Sequence, residues 1–224
     1  AWGPRRWAVA LPLAIATAVM ALGIGESIRG EEDRAQRAFQ RDADNATNAL
    51  SVRLQEPLRA LEAMRGVADA APAQGRDAFR RSATPWMMDA PGLAALGLSE
   101  RIGRADMAAF EARERQSPGG DGFRISERWA GGEAPSSDDE LIVIRLVEPM
   151  ASNAGAVGVN SRSIARAREA IDMATRSGLP TATAGFALSQ GGQGVVVYQA
   201  LYRGEPASAE ARQRELRGMV FATL

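Results

Sequence analysis

LIVIRLV, Leu141–Val147, is the stretch on which the reading of the fold turns. It is the most strongly β-forming run in the chain: six of its seven residues are apolar, and four are β-branched. Toward the C-terminus, Ser163–Ser177 reads as a helix with Ile164, Ala167, Ala170, Ile171 and Ala174 on one face, and Gly178 is its natural stop. Strands are expected at Thr181–Leu188, Val195–Tyr202 and Leu216–Leu224, with the turn Gln190–Gly194 (QGGQG) between the first two. Toward the N-terminus, Gly131–Asp139 reads as a polar loop and Phe123–Ser126 as a short strand. Asp106–Glu114 reads as a helix, with Glu111 and Arg115 spaced for an i,i+4 pair. Leu93–Leu98 reads as a strand and Asp77–Met88 as a short helix, after a break at Pro72–Gly75. Residues 76–224 are thus expected to form one α+β domain, a mainly antiparallel sheet with helices on one side.

Upstream, residues 31–75 read as a stalk. From Glu31 to about Ala71 apolar residues recur every three or four positions: Phe39, Ala43, Ala46, Leu50, Leu54, Leu58, Leu61, Met64 and Ala68. Pro57 is expected to kink or restart this helix. The part before it is expected to pair with another subunit, giving a homodimer through the stalk, and the part after it to dock on the domain. Residues 1–30 read as a cytoplasmic end and a membrane anchor. Trp7–Gly25 is 19 residues without a charge, enough helix to cover roughly 28 Å of bilayer. Arg5 and Arg6 precede it and Glu26 is the first charge after it. The positive-inside rule then leaves the N-terminus in the cytoplasm of a bacterial inner membrane and the rest outside. A cleaved signal peptide is the rival reading, since Gly23 and Gly25 are small, although the apolar run exceeds the usual h-region of roughly 7–15 residues. A buried soluble helix is the third. The chain ends within an apparent strand, Met219–Leu224, so it is expected to be a fragment of a longer protein.

Composition narrows the chemistry. The 224 residues include no cysteine and no histidine. That removes disulfides, thiolate nucleophiles, Cys-based zinc sites and the Ser-His-Asp triad. A histidine-kinase phosphoacceptor is also excluded from this chain. The 27 basic residues balance the 27 acidic ones, so nothing points to nucleic acid. No cofactor or metal is expected. Carboxylate chemistry stays open, and Glu148 before Pro149 is either a catalytic carboxylate or a strand-end anchor. QGGQG lacks the Lys-Ser/Thr ending of a phosphate loop and reads as a hairpin turn. Asp138 and Asp139 read as a solvated loop rather than a cation site.

Four segments in order resemble the CHASE family, the extracellular sensory domain of receptor histidine kinases and nucleotide cyclases. They are PGLAALGLSERI (Pro91–Ile102), FEARERQ with GFRI (Phe110–Gln116, Gly122–Ile125), VEPMASNAGAVGVN (Val147–Asn160) and the run from Ser177 that holds SGLPTATAGFAL, GVVVYQALYRG and ELRGMVFATL. The resemblance spans about residues 45–224. It implies a stalk leading into a PAS-like module whose sheet holds a small molecule on one concave face. It also implies an output domain elsewhere, a histidine kinase or a cyclic-di-GMP enzyme. The family's pocket positions fall at Asn160, Thr183, Phe186, Ser189 and Tyr198. The acidic residue that contacts adenine in plant relatives falls at Ala167, which argues against cytokinin.

The expected function is therefore small-ligand sensing outside the cell by a non-enzymatic input region, with the lipid bilayer and an unknown small molecule as partners. Two alternatives belong to other classes. A tethered interaction domain without signalling output predicts an exposed apolar patch and no closed pocket. A tethered hydrolase predicts two carboxylates converging in a cleft.

Overall fold

A computed structural model of the chain describes residues 20, 39–41, 43–45, 54–71, 75–90, 92–128, 139–187 and 192–224. Two compact units are present, Ala1–Val52 and Arg53–Leu224. In the first, Met20 and residues 39–41 and 43–45 are helical. The expected anchor Trp7–Gly25, Met20 apart, lies outside the described residues, as do most of the stalk before residue 54, the loop at 131–138, and Ser189. Among the described residues no helix is long and apolar enough to cross a membrane.

The second unit is built on a five-stranded antiparallel sheet. Its strands are β1 (Ala95–Gly103), β2 (Glu140–Glu148), β3 (Thr181–Ala182), β6 (Val196–Tyr202) and β7 (Leu216–Thr223), in the order β2-β1-β7-β6-β3. A separate pair, β4 (Phe186–Ala187) and β5 (Gln193–Gly194), forms a small antiparallel ladder. The first and last long strands lie side by side: β1 pairs with β7 from Ala95↔Thr223 to Glu100↔Gly218. The expected β-run at Leu141–Val147 is the body of β2.

Helices cover both faces of the sheet, which corrects the expectation of helices on one side only. The described helix over residues 54–70 (α1) and α2 (Arg76–Asp89) cover one face. Ala60, Leu61, Met64 and Ala68 of α1 and Phe79 and Ala83 of α2 pack with Leu96, Leu98, Val197, Val220 and Ala222 of the sheet. The opposite face belongs to α5 (Ala165–Ser177), whose Ala167, Ala170, Ile171 and Ala174 pack with Ile142, Val196, Tyr198, Met219 and Phe221. Strands buried on both faces carry apolar residues at successive positions, and β7 is buried at every residue except Arg217. Helix α1 runs through Pro57, which is buried, and docks on the domain as the apolar stripe requires.

A bulge in the β1–β2 ladder places one extra residue, Arg145, between the pairs Leu98↔Leu146 and Ser99↔Ile144. Alternation therefore shifts there: Ile142 and Ile144 face the α5 side, whereas Leu146 joins the α1 side. Helix α3 (Met107–Gln116) packs Phe110 against Phe123, Ile125, Leu141 and Val143 at that end of the sheet. Its buried Glu114 accepts a hydrogen bond from Arg145 Nε at 3.0 Å. The bulge thus points a cation at the one carboxylate that α3 buries.

Three local expectations are corrected. Phe123–Ser126 is not a strand; only Ser126 makes an isolated bridge, to Val159. Thr181–Leu188 breaks into β3 and β4, because Thr183 turns its hydroxyl to accept a hydrogen bond from Val196 N at 3.1 Å. Helix α6 (Ala209–Glu215) was not expected at all; the Ser208 hydroxyl caps it by accepting from Ala211 N. Gly178 stops α5 as expected, in the left-handed region at φ 74°.

Candidate functional site

Between β2 and α5 the chain makes a short helix, α4 (Met150–Asn153), and then two 3-10 turns, Ala154–Ala156 and Ser161–Ser163. This connection arches over the α5 face of the sheet and leaves a cavity of about 50 Å³ beneath it. Strands supply the floor: Ile144 and Val147 from β2, Val196 and Tyr198 from β6, Phe221 and Thr223 from β7. Asn153, Ala156, Val159, Ser161 and Ile164 form the arch, and Phe186 of β4 closes one side.

Gly97 gives Phe221 its position. The two are cross-strand partners, and a Cβ at residue 97 would fall 2.1 Å from the Phe221 ring. A side chain there would drive the ring toward the cavity. The Tyr198 ring lies beside it, centroids 6.0 Å apart and tilted by 46°. Burial pushes the Tyr198 phenol up to about 12; the nearby Ser161 hydroxyl works in the opposite direction. Ser161 Oγ is itself buried and finds no partner of hydrogen-bonding geometry. The two hydroxyls are thus adjacent but not aligned with each other.

The five family positions divide in the structure. Phe186 and Tyr198 line the cavity. Asn160 is buried beside it with its amide committed: Oδ1 accepts from Ile142 N at 3.1 Å and Arg162 N at 3.2 Å, and Nδ2 donates to Glu127 Oε1 at 3.1 Å. Thr183 is held by the Val196 bond. Ser189 is outside the described residues. Ala167 is fully buried in the α5 packing. Ser161, Asn153 and Phe221 line the cavity without having been singled out. Ser161 follows Asn160 in a run that reads equally well as a loop, so its side-chain direction has no sequence signature.

The carboxylates give a different picture. Glu148 is buried, and its Oε2 accepts from Met150 N at 3.2 Å, anchoring the strand end to α4. Among the described residues no cluster of three or more metal-ligating side chains occurs. A larger cleft of about 650 Å³ lies open between α3 and α6, lined by Arg101, Arg113, Arg203, Arg214, Asp106 and Glu140. Arg101 and Glu140 are paired with each other there, and Arg101 Nη1 also donates to three backbone carbonyls, those of Gln213, Arg214 and Leu216.

An antiparallel sheet layered between helices, with a small, mainly apolar cavity on its α5 face, defines the class: an α+β domain. The CHASE domain family model matches residues 73–224, and the chain belongs to that family. CHASE domains are extracellular sensory domains of signalling receptors. No curated protein matches the chain.

Proposed function

We propose that this chain is the extracytoplasmic input region of a membrane-anchored receptor and that it senses a small molecule in the cavity on the α5 face. Family membership supports the sensory role, and the strand order β2-β1-β7-β6-β3, with first and last strands central, supports the PAS-like reading. The carrying observation is the cavity itself. It sits on β6 and β7, whose opposite face packs on α1, so a change at the cavity reaches the helix that follows the stalk sequence. The uncharged run Trp7–Gly25, with Arg5 and Arg6 before it, supports an anchor that leaves the domain outside the cytoplasm. The output is a histidine kinase or a cyclic-di-GMP enzyme, and the stalk pairs two copies.

At about 50 Å³ the cavity is well below the roughly 300–1,000 Å³ of a metabolite pocket. Entry of such a ligand displaces Phe186, whose partner in the described β4–β5 ladder is Gly194. Sensing then needs a differential affinity between two packings, a coupling of about 1–3 kcal/mol.

The test has two parts. A thermal-shift screen of the whole chain against purines, amino acids, organic acids and uncharged metabolites is expected to give one responsive class. A ligand near 100 times its Kd adds about 2.7 kcal/mol, or roughly 5–10 °C. In the receptor, replacing residues 31–53 with a Gly/Ser linker of equal length is expected to keep the thermal shift and abolish the output response. An intact response would overturn coupling through the stalk. A chain that answers no ligand would be a tethered interaction domain instead.

A further inference from the structure

We infer that the cavity on the α5 face takes a compact uncharged molecule, a hydrocarbon body carrying one carbonyl or hydroxyl group aimed at Ser161 and Tyr198. The inference rests on the reading of that cavity as a ligand site and goes beyond it by fixing the chemistry of the ligand.

Three observations carry it. First, among the described residues none of the side chains lining the cavity is charged, although the chain holds 54 formally charged residues. An ionised ligand would lose its hydration there with no counter-charge to replace it. Second, Ser161 is 1% exposed, lines the cavity, and its Oγ has no hydrogen-bond partner of proper geometry, the Tyr198 hydroxyl lying near it but not aligned. A buried polar group in that state needs one, and a hydroxyl can donate to a carbonyl or accept from an alcohol. Third, Ile144, Val147, Val159, Ile164, Val196 and Phe221 make most of the remaining wall apolar, with Asn153 and Thr223 its other polar residues, which suits an alkyl body. The volume sets the scale. A water needs roughly 10–15 Å³ measured in this way, so the cavity as it stands holds a molecule of only a few heavy atoms. The arginine-lined cleft between α3 and α6 shows that charged surface exists on this domain, but away from these walls.

Propionamide and propionate have the same heavy-atom count and shape and differ in charge, so they separate the ligand's class from its size. The chain has only two tyrosines, so 3-fluorotyrosine labelling gives two ¹⁹F signals, and Tyr202→Phe assigns the one from Tyr198. With the whole chain in lipid nanodiscs, propionamide and 1-propanol are expected to shift the Tyr198 signal saturably. Propionate is expected to bind about tenfold more weakly or worse, and Ser161→Ala to weaken propionamide roughly tenfold. Ala156→Leu, which fills the arch and leaves Ser161 in place, is expected to abolish the shift. Propionate binding as well as propionamide would overturn the uncharged class while leaving the cavity a ligand site. Propionamide binding unchanged in Ser161→Ala and Ala156→Leu would overturn the placement. No movement of the Tyr198 signal with any of the three would overturn both the inference and the reading it rests on.

Discussion

Tyr198 shows how one buried residue ties the cavity to stability. Its phenol is pushed up to about 12 by burial, whereas a tyrosine in the unfolded chain ionises near 10. Between those values the folded state holds a proton that the unfolded state has lost. The contribution is therefore fully present below pH 10 and is lost as pH rises toward 12, about 3 kcal/mol in all. Urea unfolding of Tyr198→Phe at pH 9 and pH 11.5 is expected to show a smaller alkaline loss than the parent chain. Some loss remains, because burial also raises the Tyr202 phenol, against the opposing charge of Arg212. Identical pH profiles for the variant and the parent would contradict burial of the hydroxyl. At this scale the sequence was legible only in part. The family resemblance points to Phe186 and Tyr198, which line the cavity, and to Asn160 and Thr183, whose Oδ1 and hydroxyl accept from backbone N–H groups. Nothing in the letters distinguishes an amide that closes a loop from one that reads a ligand.

Elements were legible in proportion to their periodicity. The stripe Leu61, Met64, Ala68 identified the docking face of α1, and all three are buried against the sheet. Leu58 belongs to the same spacing yet is 40% exposed, since buried Pro57 and Ala60 take the face it was expected to share. Leu61→Ala and Met64→Ala are each expected to cost about 2–5 kcal/mol in urea unfolding. Leu58→Ala is expected to cost no more than about 1 kcal/mol. Equal losses at all three would mean that α1 meets the domain through another face. Helix α6 has no such signature, for the opposite reason. AEARQRE has no apolar stripe and none of its residues is buried, so only the Ser208 cap and local propensity mark it. The divided strand at 181–188 differs again: TATAGFAL sets three Ala and a Gly among its β-forming Thr and Phe, and the ladder ends where the Thr183 hydroxyl, not its carbonyl, takes the Val196 N–H.

On the scale of the whole molecule, the sheet is the layer shared by the α1 and α2 side and the α5 side. The sequence reading expects helices on one side only, although the apolar runs of β2 and β7, each interrupted by a single arginine, suit the sheet covered by α1 and α2 on one face and α5 on the other. Along β7, Val220 and Ala222 face the α1 cluster while Met219 and Phe221 face the α5 side, and Phe221 also lines the cavity. A displaced Phe221 moves the backbone that carries Val220 and Ala222, and close packing leaves little slack to absorb it. Sites on opposite sides of a layer, separated by more than about 7–10 Å, ordinarily add in free energy to within about 0.3–0.5 kcal/mol. A double-mutant cycle of Met64→Ala and Phe221→Leu tests whether this sheet behaves otherwise. An interaction of at least about 0.5 kcal/mol, and up to roughly 3, is expected if the sheet transmits the state of the cavity to α1. Strict additivity in urea unfolding would leave the two faces energetically independent, and a signal from the cavity would then need a route other than the sheet.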